Sequence, residues 1–295
     1  MPLRIQQLYL TKPKLLALTQ LMRLNKPVGI YLVLWPALWS LFLAAGGMPD
    51  WQNLVIFVLG AATMRSAGCV INDIADQKFD GHVRRTRERP LVSGKLSPKA
   101  AYCLLVALLM LALLLVVMTN ILTVLLSFGA LALASVYPFM KRHTHLPQVV
   151  LGAAFAWSIP MAFAAQTQEL PPSLWLVFTA TVLWTVVYDT FYAMVDREDD
   201  LKIGVKSTAI LFGDNDRYIT MGLQSMVVVA LLMIGDRFEL GLTYHVAVMS
   251  VITLFAYQQW LIRKREPERC LQAFMNNHWV GMAIFIGVAL DTTLR

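Results

Sequence analysis

Charge is scarce in this chain. Only 15% of its 295 residues are Asp, Glu, Lys or Arg, against about 25% in an ordinary soluble domain. With 58% hydrophobic residues and a mean hydropathy of +0.60, the deficit argues against a soluble domain and for a helical protein that crosses a bilayer several times. Cysteine is scarcer still. Cys69, Cys103 and Cys270 stand far apart, odd in number and without a CxxC, which argues against a disulfide framework or a zinc site. G-x-x-x-x-G-K-[ST] and H-E-x-x-H are both missing, so a P-loop and a zincin helix are excluded. The pair His143 and His145 at a loop start is read as no metal site. No Ser/Gly linker or low-complexity tract divides the chain, so residues 28–290 are expected to form a single transmembrane domain between a segment 1–27 and a tail 291–295. The stretch Met1 to Lys26 lacks an apolar core followed by a small-residue cleavage site. It is not expected to be a cleaved signal, and its lack of a transit-like leader points to a bacterial source.

What the sequence has is long apolar runs. Nine are expected to span: Val28–Ala45, Leu54–Ile71, Ala101–Met118, Ile121–Phe139, Val149–Ala165, Leu174–Tyr188, Tyr218–Ile234, Tyr244–Ile262 and Trp279–Leu290. Short turns at Thr119-Asn120 and from Gln166 to Pro172 predict antiparallel hairpins. Pro36 and Pro160 fall inside spans and are expected to kink them. All but three of the 25 lysines and arginines, the exceptions being Arg65, Arg237 and Arg295, fall in the segments on one side of these spans. That bias predicts a cytoplasmic N-terminus and cytoplasmic large loops. The net charge of +7 is thereby a topological signal, and no nucleic-acid partner is expected.

The second run ends in Asn72-Asp73-Ile74-Ala75-Asp76-Gln77-Lys78-Phe79-Asp80. Asn72, Asp76 and Asp80 are spaced i, i+4, i+8 and share one helical face, while Asp73 is expected to point away from it. The sixth run ends in a matching row of Asp189, Tyr192, Asp196 and Asp200, with Asp199 beside it. If the two rows face each other, their oxygens suit Mg²⁺, which accepts carboxylates, waters and substrate phosphates in one shell. Lys141, Arg142 and Lys206 stand at the same border, and an arginine there can grip a phosphate or carboxylate with two parallel hydrogen bonds. Arg65 lies inside a span, two helical turns before Asn72. An intramembrane arginine is costly, so it is expected either to line the cavity or to pair with an acid. A diphosphate on an apolar tail fits this set: cations at the border hold the headgroup, and a dry apolar pocket shelters an allylic cation when the C–O bond breaks. A cation-coupled transporter is the alternative. However, about 18 residues precede Asn72 in its run, roughly 27 Å of helix, which places the acids near the membrane edge rather than at its midplane.

These residues resemble the UbiA superfamily of intramembrane prenyltransferases. Asn72-Asp73-x-x-Asp76-x-x-x-Asp80 is similar to its first signature, and Tyr188-Asp189-Thr-x-Tyr192-Ala-Met-x-Asp196-Arg-x-Asp199-Asp200 to its second. Met22-Arg23-x-x-Lys26-Pro27-x-Gly29, Arg65-x-Ala67-Gly68-Cys69-x-x-Asn72 and Val136-Tyr137-Pro138-Phe139-Met140-Lys141-Arg142 resemble the 4-hydroxybenzoate branch. The resemblance implies an all-α integral membrane bundle of nine helices around a central cavity open near the cytoplasmic face of a bacterial inner membrane. It implies Mg²⁺-dependent transfer of a polyprenyl group from polyprenyl diphosphate to the carbon ortho to the hydroxyl of 4-hydroxybenzoate, a step of ubiquinone synthesis. By the same resemblance Asn72, Asp76, Asp80, Asp196 and Asp200 bind Mg²⁺ and diphosphate, Asp189 lines the site, and Lys141 contacts diphosphate. Arg142 or Arg65 holds the acceptor carboxylate. Tyr192 and Lys206 complete the substrate contacts expected from their placement. A sister enzyme acting on homogentisate, a naphthoate or haem would carry the same metal site and differ in the acceptor pocket.

Overall fold

A computed structural model describes residues 12–81 and 86–294, except the side chains of Lys12, Lys78, Phe79 and Asp80. Twelve α-helices cover nearly all of it: α1 (Lys12–Leu21), α2 (Val28–Ala45), α3 (Trp51–Asp80), α4 (Pro98–Val116), α5 (Ile121–His143), α6 (Pro147–Ala156), α7 (Ser158–Thr167), α8 (Leu174–Ile203), α9 (Thr208–Phe212), α10 (Asp216–Arg237), α11 (Leu242–Leu261) and α12 (Pro267–Thr293). Among the described residues, nine segments are long and apolar enough to cross a membrane, the fifth being α6 with α7 and the seventh α9 with α10.

Local chemistry explains the helix ends. Ser97 accepts a hydrogen bond from the Ala100 N–H at 3.3 Å and starts α4, with Pro98 in the first turn. Asn120 accepts from the Thr123 N–H at 3.0 Å to start α5, and its amide donates to the Ala164 carbonyl, which stitches α5 to α7. Gly46 and Gly204 stop α2 and α8 in the left-handed conformation.

Several spans differ from their sequence limits. The second and sixth runs continue as helix to Asp80 and Ile203. At 1.5 Å per residue each 30-residue helix is about 45 Å long, more than the ~30 Å hydrocarbon layer. The acidic rows are therefore extensions of membrane helices and not loops. The ninth span starts at Pro267, well before Trp279, because its early polar residues face inward: Asn277 accepts from Trp184 Nε1 at 2.8 Å. The fifth span breaks at Trp157. Pro160 cannot supply the N–H that the Ala156 carbonyl would take in a continuous helix. Around Pro36, α2 continues without a break.

The main core joins α2, α7, α8, α10, α11 and α12 through residues such as Trp39, Phe163, Trp184, Tyr188 and Tyr244. Their polar tips are satisfied: Trp39 Nε1 donates to the Gly281 carbonyl at 3.0 Å and the Tyr244 hydroxyl to the Leu231 carbonyl at 2.8 Å. α8 is mostly buried inside the bundle, whereas α4 and α5 bury few of their residues. α8 is thus the central post, and α4 and α5 form a rim that faces lipid. α1 packs through Ala17 and Leu21 against Val70 of α3 and Ala101 of α4.

Candidate active site

The cavity between the post and the rim measures about 940 Å³. One face of α3 lines it with Phe57, Ala61, Arg65, Cys69, Asn72 and Asp76, residues three or four apart. α8 faces them with Tyr188, Asp189, Tyr192, Asp196 and Asp200. Lys141 from the end of α5 and Lys206 from the strap after α8 also line it. Nine of the residues singled out from the sequence therefore share one cavity: Arg65, Asn72, Asp76, Lys141, Asp189, Tyr192, Asp196, Asp200 and Lys206. The side chain of the tenth, Asp80, lies outside the described residues. The eleventh, Arg142, is exposed and outside the lining. Its Nη2 donates to the Ala75 carbonyl at 2.8 Å and stands 3.8 Å from Asp76 Oδ1, with the guanidinium over the Phe139 ring.

The cavity is polar at one end and apolar along the rest. At the polar end the Asp76 carboxylate is 1% exposed. Its Oδ2 pairs with Lys141 Nζ, and its Oδ1 is buried with no hydrogen-bond partner. The Lys206 N–H donates to the Lys141 carbonyl at 3.0 Å, and Lys206 Nζ to the His143 carbonyl at 3.3 Å, which ties the strap to the end of α5. Asp200 lines the cavity, whereas Asp199 is absent from its lining and pairs with Lys202 at 3.6 Å. The apolar length is walled by Leu32, Ile56, Leu113, Leu131, Leu151 and Phe155, among others.

Arg65 marks the transition. Its guanidinium lies 5.9 Å from the centre of the Phe155 ring, and its Nε is buried without a hydrogen-bond partner. α2 can approach this closely because residue 29 is glycine: a Cβ there would lie 2.5 Å from Arg65 Nε and 2.7 Å from Nη2.

Asp73 corrects the sequence reading. It does not turn away from the site: it lines the cavity, is 1% exposed and holds two arginines. Arg23 Nη2 donates to both of its oxygens, at 2.8 and 3.1 Å, and Arg89 Nη1 stands 3.0 Å from Oδ1. Arg23 and Arg89 line the cavity as well. They were absent from the expected site because each has a topological reading as a basic residue at a membrane border. The sequence signal for Arg23 is its place in the stretch Met22-Arg23-x-x-Lys26-Pro27-x-Gly29; its backbone adds a structural one. Arg23 occupies a left-handed position, φ +59°, where α1 ends with the Leu24 N–H on the Thr19 carbonyl and the Arg23 N–H on the Gln20 carbonyl. Glycine is the usual residue there.

The oxygen-only donor set, with one buried carboxylate oxygen that accepts no hydrogen bond, fits a hard cation. Among the described residues no three His, Cys, Asp or Glu side chains stand close enough to form a metal site by themselves. That arrangement suits an ion that keeps waters and takes ligands from a bound phosphate.

The UbiA prenyltransferase family model matches residues 33–281. The sequence is 64% identical over 280 residues to the 4-hydroxybenzoate octaprenyltransferase of Saccharophagus degradans, covering 95% of this chain and 94% of that protein. It is 58% identical over 276 residues to the enzyme of the same name from Ectopseudomonas mendocina, covering 94% and 93%. Among solved structures, the apo form of a UbiA homolog from Aeropyrum pernix K1 superposes with a TM-score of 0.79 at 23% identity, over 88% of this chain and 97% of that one. A UbiA homolog from Archaeoglobus fulgidus bound to GPP and Mg²⁺ gives 0.68 at 20% identity, over 91% and 99%. At these identities the two structures speak for the fold.

Proposed function

The chain belongs to the UbiA prenyltransferase family, and on that premise we propose that it transfers a polyprenyl group to the carbon ortho to the hydroxyl of 4-hydroxybenzoate. The observation that carries this reading is Arg65: a guanidinium with a buried, unpartnered N–H, in the same cavity as both acidic rows. An apolar cavity with a diphosphate end has no use for a second cation deep inside unless the acceptor brings an anion. Arg65 lies seven residues from Asn72, about 10 Å along the helix axis, so a single aromatic ring fits between its carboxylate grip and the diphosphate end. The names of the relatives supply the same acceptor, and their octaprenyl donor is the first chain length to try.

The division of labour follows from the chemistry of each residue. Lys141, Lys206, Arg23 and Arg89 neutralise and orient the diphosphate. Asn72, Asp76, Asp80, Asp196 and Asp200 would hold Mg²⁺, which when bound offsets the charge that builds on the leaving diphosphate. The allylic C–O bond breaks, and the electron pair leaves with the diphosphate. The apolar wall excludes water from the resulting cation. Arg65 fixes the acceptor so that the carbon beside its hydroxyl meets the prenyl carbon, and a C–C bond forms there. That carbon then loses its proton, and Asp189 is placed to hold the hydroxyl or take the proton. Arg142, outside the lining, supports Asp76 from behind.

The same reading takes residues 28–290 as a single catalytic domain in a bacterial inner membrane, with the N-terminus and the acidic ends on the cytoplasmic side. The charge bias supports it. The test is direct. Purified protein in lipid nanodiscs receives Mg²⁺, octaprenyl diphosphate and 4-hydroxybenzoate, and products are read by mass spectrometry. The prenylated acid and diphosphate are expected in equal amounts. Folded protein that makes neither, across several prenyl lengths, would refute the assignment. Prenylation of homogentisate or a naphthoate in preference would move the chain to a sister activity.

A further inference from the structure

The end of α8 has a mechanical problem. At about 45 Å this helix outruns the ~30 Å hydrocarbon layer, so the turns bearing Asp196 and Asp200 stand beyond its packed apolar section, where helix ends fray. One side is held by the strap from Lys206 to the Lys141 carbonyl. The other side is held by charge. Arg197, next in sequence to Asp196, reaches Asp216 Oδ2 at 3.4 Å. Asp216 opens α10 and is fully buried. Its carboxylate also takes Arg265 Nε at 2.9 and 3.1 Å and Arg265 Nη2 at 2.8 Å. Arg265 follows the last turn of α11 in a left-handed conformation, φ +54°, and donates to the Asp214 carbonyl at 2.6 Å. The hydrogen bonds that Arg265 donates to Asp216 raise its pKa above the ordinary value. One buried carboxylate thus joins α8, α10 and the turn between α11 and α12.

None of Arg197, Asp216 and Arg265 lines the cavity. A buried ion pair contributes little net stability over an apolar replacement of the same volume; what it can contribute is one fixed geometry. We propose that Asp216 is a positioning residue: through Arg197 it fixes the rotation and order of the last turns of α8, so that Asp196 and Asp200 face the cavity and the diphosphate. The inference rests on the diphosphate reading given above.

The test uses the full chain in nanodiscs. Arg197→Gln cuts the link to α8 and leaves the Asp216–Arg265 pair in place. It should raise the half-saturating concentration of prenyl diphosphate about 10-fold, a loss of about 1.4 kcal/mol, both in Mg²⁺-containing thermal-shift titrations and in turnover. The KM for the aromatic acid should stay within about 2-fold. Amide hydrogen exchange over residues 197–203 of the ligand-free variant should be faster than in the wild type. Arg197→Lys should restore most of the diphosphate affinity. Asp216→Asn, if it folds, should show the same selective shift; if it does not, Arg197→Gln decides alone. An unchanged diphosphate titration in Arg197→Gln, whatever happens to the melting temperature, would reduce the latch to a structural brace and overturn the proposal. Wild-type protein that binds the diphosphate but leaves 4-hydroxybenzoate unmodified would overturn the acceptor assignment and not the latch, which is read from the titration and the exchange.

Discussion

Arg23 and Asp73, 50 positions apart in sequence, meet at 2.8 and 3.1 Å inside the bundle. The arginine sits where a helix normally ends in glycine, at φ +59°. A non-glycine residue there carries a local backbone cost of order 1 kcal/mol, and its guanidinium returns a partly buried, charge-assisted pair that brings a cation to the cavity mouth.

Arg23→Gly separates the two roles of that residue. Glycine relieves the backbone, so the end of α1 should form at least as well. The lost cation should raise the KM for prenyl diphosphate about 10-fold or more, with the KM for the acceptor unmoved. Steady-state kinetics and a thermal melt on one preparation check both halves. A variant with unchanged diphosphate KM would assign Arg23 to helix docking alone.

Arg65→Ala should act on the other substrate. Removing a charged hydrogen-bond partner from a buried site costs roughly 2–4 kcal/mol, or about 30- to 1000-fold in kcat/KM for 4-hydroxybenzoate. The diphosphate titration should stay near wild type. Arg142→Ala should raise the acceptor KM far less, because its guanidinium lies outside the cavity lining. If the two variants exchange these phenotypes, the carboxylate belongs to Arg142.

Gly29→Ala tests the same contact from the opposite helix. A methyl group 2.5 Å from Arg65 Nε forces the guanidinium to move. A displacement of that kind should weaken the acceptor several-fold while sparing the diphosphate. Equal losses for both substrates would indicate a general packing defect.

Asp76→Asn removes the charge that pairs with Lys141 and, in the proposed site, one oxygen donor to Mg²⁺. Turnover should fall by about 100-fold or more, with normal amounts of protein in the membrane fraction. Chelation should silence the wild type, and Mg²⁺ should restore it. Near-normal turnover in Asp76→Asn would remove this residue from the site.

The parts of this architecture that were legible in the sequence are the local ones. Asn72 and Asp76 fall on one face because i, i+4 spacing is a property of the helix alone, and Asp196 and Asp200 repeat it. Span α2 matched its apolar run end to end because no charged residue interrupts it. The start of α12 was hidden for the opposite reason: Asn276, Asn277 and His278 interrupt the apolar pattern, yet Asn277 faces inward to Trp184. Asp73 was hidden because its meaning lies in Arg23 and Arg89, which reach it only through tertiary contact. Arg197 was hidden in the same way: it reads as one more basic residue at a membrane border until Asp216 and Arg265 are placed around it.

The positions of the two substrates in the cavity are the most direct test. A structure of the protein in nanodiscs with Mg²⁺, 4-hydroxybenzoate and a non-cleavable thio analogue of the prenyl diphosphate would show them. The diphosphate should sit between Asp76 on α3 and Asp196 and Asp200 on α8, with the acceptor carboxylate on Arg65 and the tail along the apolar wall. An acceptor bound away from Arg65, or a diphosphate outside the space between α3 and α8, would contradict the proposed site.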